Sequence, residues 1–368
     1  MKASIEQTEL LKAMARVQSI VERRTTIPIL SNVLIEAKES SLYLRTTDLD
    51  IEVLDKVEAV IETPGSLTVG ANTLYEIVRK LPDGSRVEFL NDIGSSQLEI
   101  VASRSKFFLS TLPKEDFPVM ASEEYDFDFT IKSKLIRRLF DKSKFAMSSE
   151  ETRYYLNGVY LHPCIENEKN ILRAVATDGH RLAQIDIENP GLQDNFSGII
   201  VPKKTVSELR MVLENENDDI SISISNNKIR FSNNFLTLTS KIVDGTFPDY
   251  KRVIPLDNDK KLQVNATEFS EAVDRVSTVS SERSRAVKLS LSSGKLHLSV
   301  NSPENGKAED EILVNYNYDD LEIGFNARYL QELTSQVDGK NVEFSFKSSG
   351  DPALMKDIED EGAIYVVM

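Results

Sequence analysis

Few residues in this chain could do chemistry, and their spacing is poor for it. Asp178 and His180 lie two apart in TDGHRL, and a hydrolase would have to recruit one of many serines to complete a triad with them. Triads are assembled in space, and this pair is not a nucleophile motif. Thr47-Asp48 stands at the equivalent point of an internal repeat with no histidine nearby, so the aspartate reads as a turn residue and no catalysis is expected. His162, His180 and His297 show no ligand spacing such as HExxH. The single Cys164 allows neither an internal disulfide nor a cysteine-rich zinc site. No metal or cofactor is implied.

The elements that would position these residues are more informative. The chain has 368 residues, 40% of them hydrophobic, enough for two or three domains with cores of their own. No apolar run approaches the ~20 residues that span a bilayer, and the first thirty residues build no signal-peptide core, so a cytoplasmic protein without a membrane partner is expected. The 59 acidic and 44 basic side chains give a formal charge of -15, which at face value argues against a nucleic-acid partner. Only the distribution of charge can test that argument.

A threefold repeat organises the sequence. Helix-like segments open with TEL at 8–10, SKL at 133–135 and TEF at 267–269, each with Ser or Thr where an N-cap would sit. Leu10, Met14, Val17 and Val21 share one face of the first, and Phe269, Val273 and Val276 one face of the third, both at the helical period. Polar loops follow (ERRTT, SEETR, SERSR) and then apolar strands. A second helix recurs in GANTLYEIVRKL, PKKTVSELRMVL and NARYLQELTSQV, with Glu76, Glu208 and Glu332 at the same place, and alternating strands follow it. Phe117-Pro118 and Phe247-Pro248 are separated by 130 residues, as are Thr47-Asp48 and Thr177-Asp178. The expected fold class is α+β: three repeated domains, 1–125, 126–256 and 257–368, each with two helices and antiparallel sheet.

The acidic excess is uneven. KSKLIRRLFDKSK at 132–144 has six basic residues and one acid, and Arg79, Lys80, Lys203, Lys204 and Arg210 fall on the second-helix segments. A basic helix face is ordinarily a solvated face. A bias shared by equivalent helices of joined repeats instead adds up to one stripe, in which Arg79, Lys80, Arg137, Arg138 and Arg210 are candidate phosphate contacts. Helices about 9 Å apart and about 10 Å thick set the size of any ring they line. Six helices leave an opening of ~7 Å, twelve leave ~24 Å and eighteen ~42 Å, so only two chains suit a DNA duplex.

RRTTIPILSN at 23–32, TRYYLNGVYL at 152–161, ATDGHRLA at 176–183, FPDYKRVIP at 247–255, RSRAVKL at 283–289 and the terminal YVVM resemble, in order and across the whole chain, the bacterial DNA polymerase III β subunit family of sliding clamps. The resemblance implies a head-to-tail homodimer whose six domains form a closed ring, helices lining a basic hole. The ring would be threaded on double-stranded DNA by a clamp loader, without sequence preference, and would tether the polymerase III catalytic subunit and other clamp-motif proteins. It implies DNA-facing roles for Arg24, Arg153, Tyr154, Tyr155, Lys203 and Lys204. A peptide pocket is implied at Leu156, Thr177, Gly179, His180, Arg181, Leu182, Pro248, Arg252, Val253, Asn326, Tyr329, Val366 and Met368, with Gly179 allowing the tight turn. Lys106, Phe107 and Val279 match dimer-interface positions. Many members continue past Val-Val-Met with a Pro-Met-Arg tail that closes one pocket wall, and Ser284 stands where a bulkier apolar residue can occur; both departures bear on partner affinity. A protein scaffold that never encircles DNA is the rival to a clamp.

Overall fold

The segments of helical period wind into six α-helices among the described residues, two per repeat: α1 Gln7–Val17, α2 Ala71–Lys80, α3 Ser133–Asp141, α4 Lys203–Glu208, α5 Ala266–Ser277 and α6 Ala327–Thr334. The computed structural model describes residues 1–22, 26–92, 94–121, 124–192, 196–281 and 285–368. Leu10, Ala13, Met14 and Val17 are buried from α1, and Phe269, Ala272, Val273 and Val276 from α5, which is the face their spacing predicts. None of these helices is long and apolar enough to cross a membrane.

The helix starts differ from expectation. Thr8 and Thr267 lie inside their helices, whose N-caps are Glu6 and Asn265. The cause is the same in all three repeats: a strand runs directly into the helix, and a main-chain carbonyl from the loop after the second helix accepts the first helical N–H. Ser85 O accepts from Gln7, Asp218 O from Ser133 and Lys340 O from Ala266. A donor satisfied in this way needs no hydroxyl cap. The second helix of the middle repeat is also shorter than its pattern, ending at Glu208 and continuing as a 3-10 turn, Leu209–Met211. The acids crowding residues 214–219 lie where the negative end of a longer helix dipole would be.

The chain forms two compact units, Met1–Lys134 with Lys204–Ile242, and Leu135–Lys203 with Val243–Met368. The middle repeat contributes to both. In the first unit its strand Leu236–Lys241 pairs antiparallel with Ile51–Glu58 of the first repeat, Ser240 opposite Ile51 through Leu236 opposite Asp55, within a thirteen-stranded sheet. In the second unit its strand Arg181–Glu188 pairs with Ala363–Val367 of the third repeat, Arg181 opposite Val367 through Ile185 opposite Ala363, within an eight-stranded sheet. Each join therefore brings together the same two strands of the repeat.

One member of each strand type is left over. Gly306–Leu313, equivalent to Ile51–Glu58, pairs with Lys295–Ser302 and is the edge of a four-stranded sheet. Ser105–Leu112, which closes the first repeat, pairs through Ser105 to Ser110 with Gln97–Ala102, and on its other side, among the described residues, only Thr111 and Leu112 meet a strand.

Candidate partner pocket and nucleic-acid interface

The sheet join in the second unit creates the pocket candidates' neighbourhood. Leu182 and Val366 are register partners across it. They are buried with Leu156, Val175, Ile200, Phe247 and Tyr250, and Tyr155 and Leu354 pack on this cluster half-buried. Leu182 and Val366 thus form a floor and not a rim. The exposed parts are Val253 (38%) and Met368 (39%), together with Pro248, Gly179 and His180. Arg252 is exposed and held by Asp249 at 2.8 Å.

Local hydrogen bonding shapes the turn beside this floor. Thr177 Oγ1 accepts from the Gly179 N–H and donates to the Arg181 carbonyl, while Asp178 Oδ1 accepts from the N–H groups of His180 and Arg181. The first repeat has the same turn, with Thr47 and Asp48 accepting from Leu49, Asp50 and Ile51. Both aspartates are turn residues, as read from the sequence. Gly179 has φ +90°, a conformation that favours glycine although Leu49 adopts φ +79° at the same place of the first-repeat turn, and a Cβ there would lie 2.7 Å from Nη1 at the movable end of Arg153.

Aromatic and ionic contacts then fix the rim. Tyr329 of α6 stacks on His180 with centroids 6.3 Å apart, and the Arg181 guanidinium lies 4.6 Å from its ring centre and 5.2 Å from that of Phe145. Arg181 is buried and pairs with Asp178 and Glu332. The Met368 N–H donates to the His180 carbonyl at 2.9 Å, tying the last residue to the turn. Asn326 caps α6, accepting from the Arg328 N–H. The Tyr250 hydroxyl bonds His162 Nε2 and the buried Arg173, which also holds Asp186 and Glu166. Burial pushes His162 below the ordinary imidazole value. Sequence reasoning missed Phe145, Phe247 and Tyr250, although FPDYKRVIP contained two of them. A concavity of about 670 Å³, lined by Lys169, Ile171, Asp186 and Glu188 among others, shares none of the pocket residues.

The candidate phosphate contacts are met by carboxylates to differing degrees. In the first unit Arg79 and Lys80 are exposed, and both approach Glu76, at 2.7 and 3.6 Å. The hydrogen bond from Arg79 holds the Glu76 carboxyl below its ordinary range. Lys204 pairs with Asp48, and Arg210 is exposed. In the second unit the exposed Lys203 donates to Ser149 Oγ at 2.5 Å. Arg137 lies 3.8 Å from Asp141, and Arg153 pairs with Glu150 at 2.7 Å. Tyr154 is exposed (54%), whereas Tyr155 is partly buried against the pocket floor, their rings 5.9 Å apart. Arg138 differs from the rest: both its terminal nitrogens bond Asp360, each at 2.6 Å, in a pair only 25% and 15% exposed. Arg24 and Ser284 lie outside the described residues. Lys106 is exposed and pairs with Glu99 at 2.9 Å, Phe107 is half-buried, and its neighbour Phe108, missed by sequence reasoning, is 59% exposed. Val279 is half-buried, two residues beyond α5.

Residues 1–121, 130–249 and 251–368 match the N-terminal, central and C-terminal domains of the DNA polymerase III beta subunit. The chain belongs to this family of beta sliding clamps. It is 47% identical to the beta sliding clamp of Caulobacter vibrioides over 368 residues, covering all of this chain and 99% of that one. The beta sliding clamp of Pseudomonas aeruginosa is 38% identical over 371 residues, with the same coverage. Among solved structures, the sliding clamp from Bartonella birtlesii bound to griselimycin superposes with a TM-score of 0.96 at 46% identity, covering all of this chain and 98% of that one. A C. crescentus beta sliding clamp with polyethylene glycol bound to a putative beta-motif tethering region gives 0.95 at 47% identity, with the same coverage. The three α+β domains are those expected from the repeat, and the sliding-clamp family is the one the motifs resemble.

Proposed function

We propose that two copies of this clamp subunit close head to tail around duplex DNA, with domain limits near residues 125 and 256. The carrying observation is the pair of leftover strands. Two repeat joins use a strand equivalent to Gly306–Leu313 and a strand equivalent to Ser105–Leu112, and these two alone lack that partner among the described residues. A second copy supplies each with the other, in antiparallel register, and closure removes two exposed edges. Phe108 and Leu313, 59% and 74% exposed, lie on those strands and gain cover in such a seam, with Lys106, Phe107 and Val279 beside it.

Retention on DNA is then topological, and no tight grip on phosphate is needed. Arg24, Arg79, Lys80, Arg137, Arg153, Tyr154, Lys203, Lys204 and Arg210 serve as weak, sequence-independent contacts, several with a carboxylate close enough to limit their hold. Arg138 is left out, because its charge is committed to Asp360, and Tyr155 serves the pocket floor. The rim at His180, Pro248, Arg252, Val253, Tyr329 and Met368, over the floor of Leu156, Leu182 and Val366, takes the apolar side chains of a short extended peptide from the polymerase III catalytic subunit, the clamp loader or other clamp-motif proteins. The role is non-catalytic and cytoplasmic. Sedimentation of the full chain at micromolar concentration tests the assembly: a species of twice the chain mass is expected, and a persistent monomer removes the hole that the role requires.

A further inference from the structure

Glu76, Glu208 and Glu332 share one place on the second helices, and two of them accept from the preceding repeat. Glu208 accepts from Ser19 Oγ at 2.8 Å, and Glu332 pairs with Arg181 at the start of a joining strand. Six residues past each of these glutamates a second acid receives a cation from just inside or beyond the preceding repeat's first helix: Glu214 receives Arg16 at 3.3 Å, and Asp338 receives Lys142 at 2.7 Å. Arg16 is also anchored at 2.6 Å on Asp55, whose side chain is fully buried.

The third junction has both halves of this arrangement at opposite ends of the chain. Counted from TEF against TEL, Arg275 of α5 stands where Arg16 stands on α1, and Thr278 where Ser19 stands. Arg275 is anchored at 2.8 Å on Asp310, which occupies in Gly306–Leu313 the place of Asp55 in Ile51–Glu58. Yet this pair is 55% and 25% exposed, against 14% and 0% for Arg16 and Asp55. At the other end, Glu76 is met by Arg79 and Lys80 of its own helix. The turn after α2 supplies one acid, the exposed Asp83, two residues before the capping carbonyl of Ser85, as Asp338 precedes that of Lys340.

We infer that in the dimer Arg275 of one copy pairs with Asp83 of the other, while Glu76 accepts from Thr278, repeating across the seam the contacts that seal the two joins within the chain. This rests on the dimer reading above. The occupant is a second copy because the half-junctions are complementary in charge and continuous with the two leftover strands. Like the internal example, the seam pair loses solvent on assembly, and its attraction strengthens as water leaves.

A double-mutant cycle on dimer dissociation, measured on the full chain by dilution and sedimentation, tests the pairing. Asp83→Asn and Arg275→Gln are each expected to raise the dimer Kd about 25-fold, about fivefold at each of two seams, and the double variant no further than either alone. Glu62→Gln, whose parent acid pairs with Lys2 away from this junction, is expected to leave it unchanged. Arg275→Gln also releases Asp310, so if that variant loses its fold, Asp83→Asn in its exposed turn carries the test alone. An unchanged Kd in Asp83→Asn, or effects that multiply in the double variant, overturns the pairing and leaves the dimer standing. A wild-type chain that stays monomeric overturns both.

Discussion

Asp360→Asn separates a structural arginine from those proposed to contact DNA. Asp360 accepts two 2.6 Å bonds from Arg138 and a third from Lys142 at 3.2 Å. Burial alone would raise its carboxyl, but Arg138 and Lys142 outweigh burial and hold it at about 2. A carboxyl depressed in the folded state stabilises above its unfolded value, near 4, and that contribution disappears as pH falls from about 4 to 2. Allowing for solvent screening, the depressed carboxyl contributes about 1–2 kcal/mol at neutral pH. Replacing it by an amide also leaves the half-buried Arg138 without its carboxylate, while Lys142 keeps Asp338 at 2.7 Å, so the total loss is about 2–3 kcal/mol. For a unit of this size that lowers the melting midpoint by about 5–10 °C. Differential scanning fluorimetry across pH 2–7 reads the effect, and retention on circular DNA is read beside it. The expected pattern is a lower midpoint above pH 4, convergence with wild type near pH 2, and unchanged retention at a temperature where the variant stays folded. An unaltered midpoint in Asp360→Asn, together with weaker DNA contact in Arg138→Ala, would refute the assignment of Arg138 to the fold.

Because burial depresses His162, its neutral form stabilises the fold above pH 6.5, and that stability is lost as pH falls below this value. His162→Gln, which keeps a partner for the Tyr250 hydroxyl, should flatten the melting-midpoint profile between pH 7 and 5; an undiminished slope would place the titrating group elsewhere. Gly179→Ala puts a side chain at φ +90° and against the movable end of Arg153, costing about 1 kcal/mol in thermal stability and weakening partner-peptide binding; parental values for both would mean the turn accepts a side chain there, as the first-repeat turn accepts Leu49 at φ +79°. Val253→Asp puts a charge on an exposed apolar rim residue, and titration with a clamp-motif peptide should show affinity reduced at least tenfold at an unchanged melting point. Lys203→Ala should do the reverse, weakening DNA contact and sparing the peptide, so equal loss of both in either variant would count against two separate sites.

Repetition made the helix positions, their buried faces and the Thr-Asp turns legible, because each is a local pattern that recurs with its neighbours. The acceptors of the first helical N–H groups were not legible: they are main-chain carbonyls of Ser85, Asp218 and Lys340, about 75 to 85 residues from the donors they satisfy, and every residue type has a carbonyl. Arg79 and Arg138 look alike in sequence as basic residues on basic helices. They differ only because Asp360, in a different repeat, meets one of them. The pocket residues were legible only as motifs matched to a family. Nothing in their spacing says that Leu182 and Val366 become neighbours, which follows from the pairing of strands some 180 residues apart. The recurring glutamate was visible as a repeated letter, and its partners in the preceding repeat emerged only from the folded chain.

The most direct test of encirclement is to assemble this protein on a nicked circular duplex with a clamp loader, remove free protein, and then cut the circle once. A closed ring stays with the intact circle through high-salt washing and runs off within minutes of the cut. Protein that remains equally bound to circle and linear duplex, or that salt strips from both alike, would contradict it.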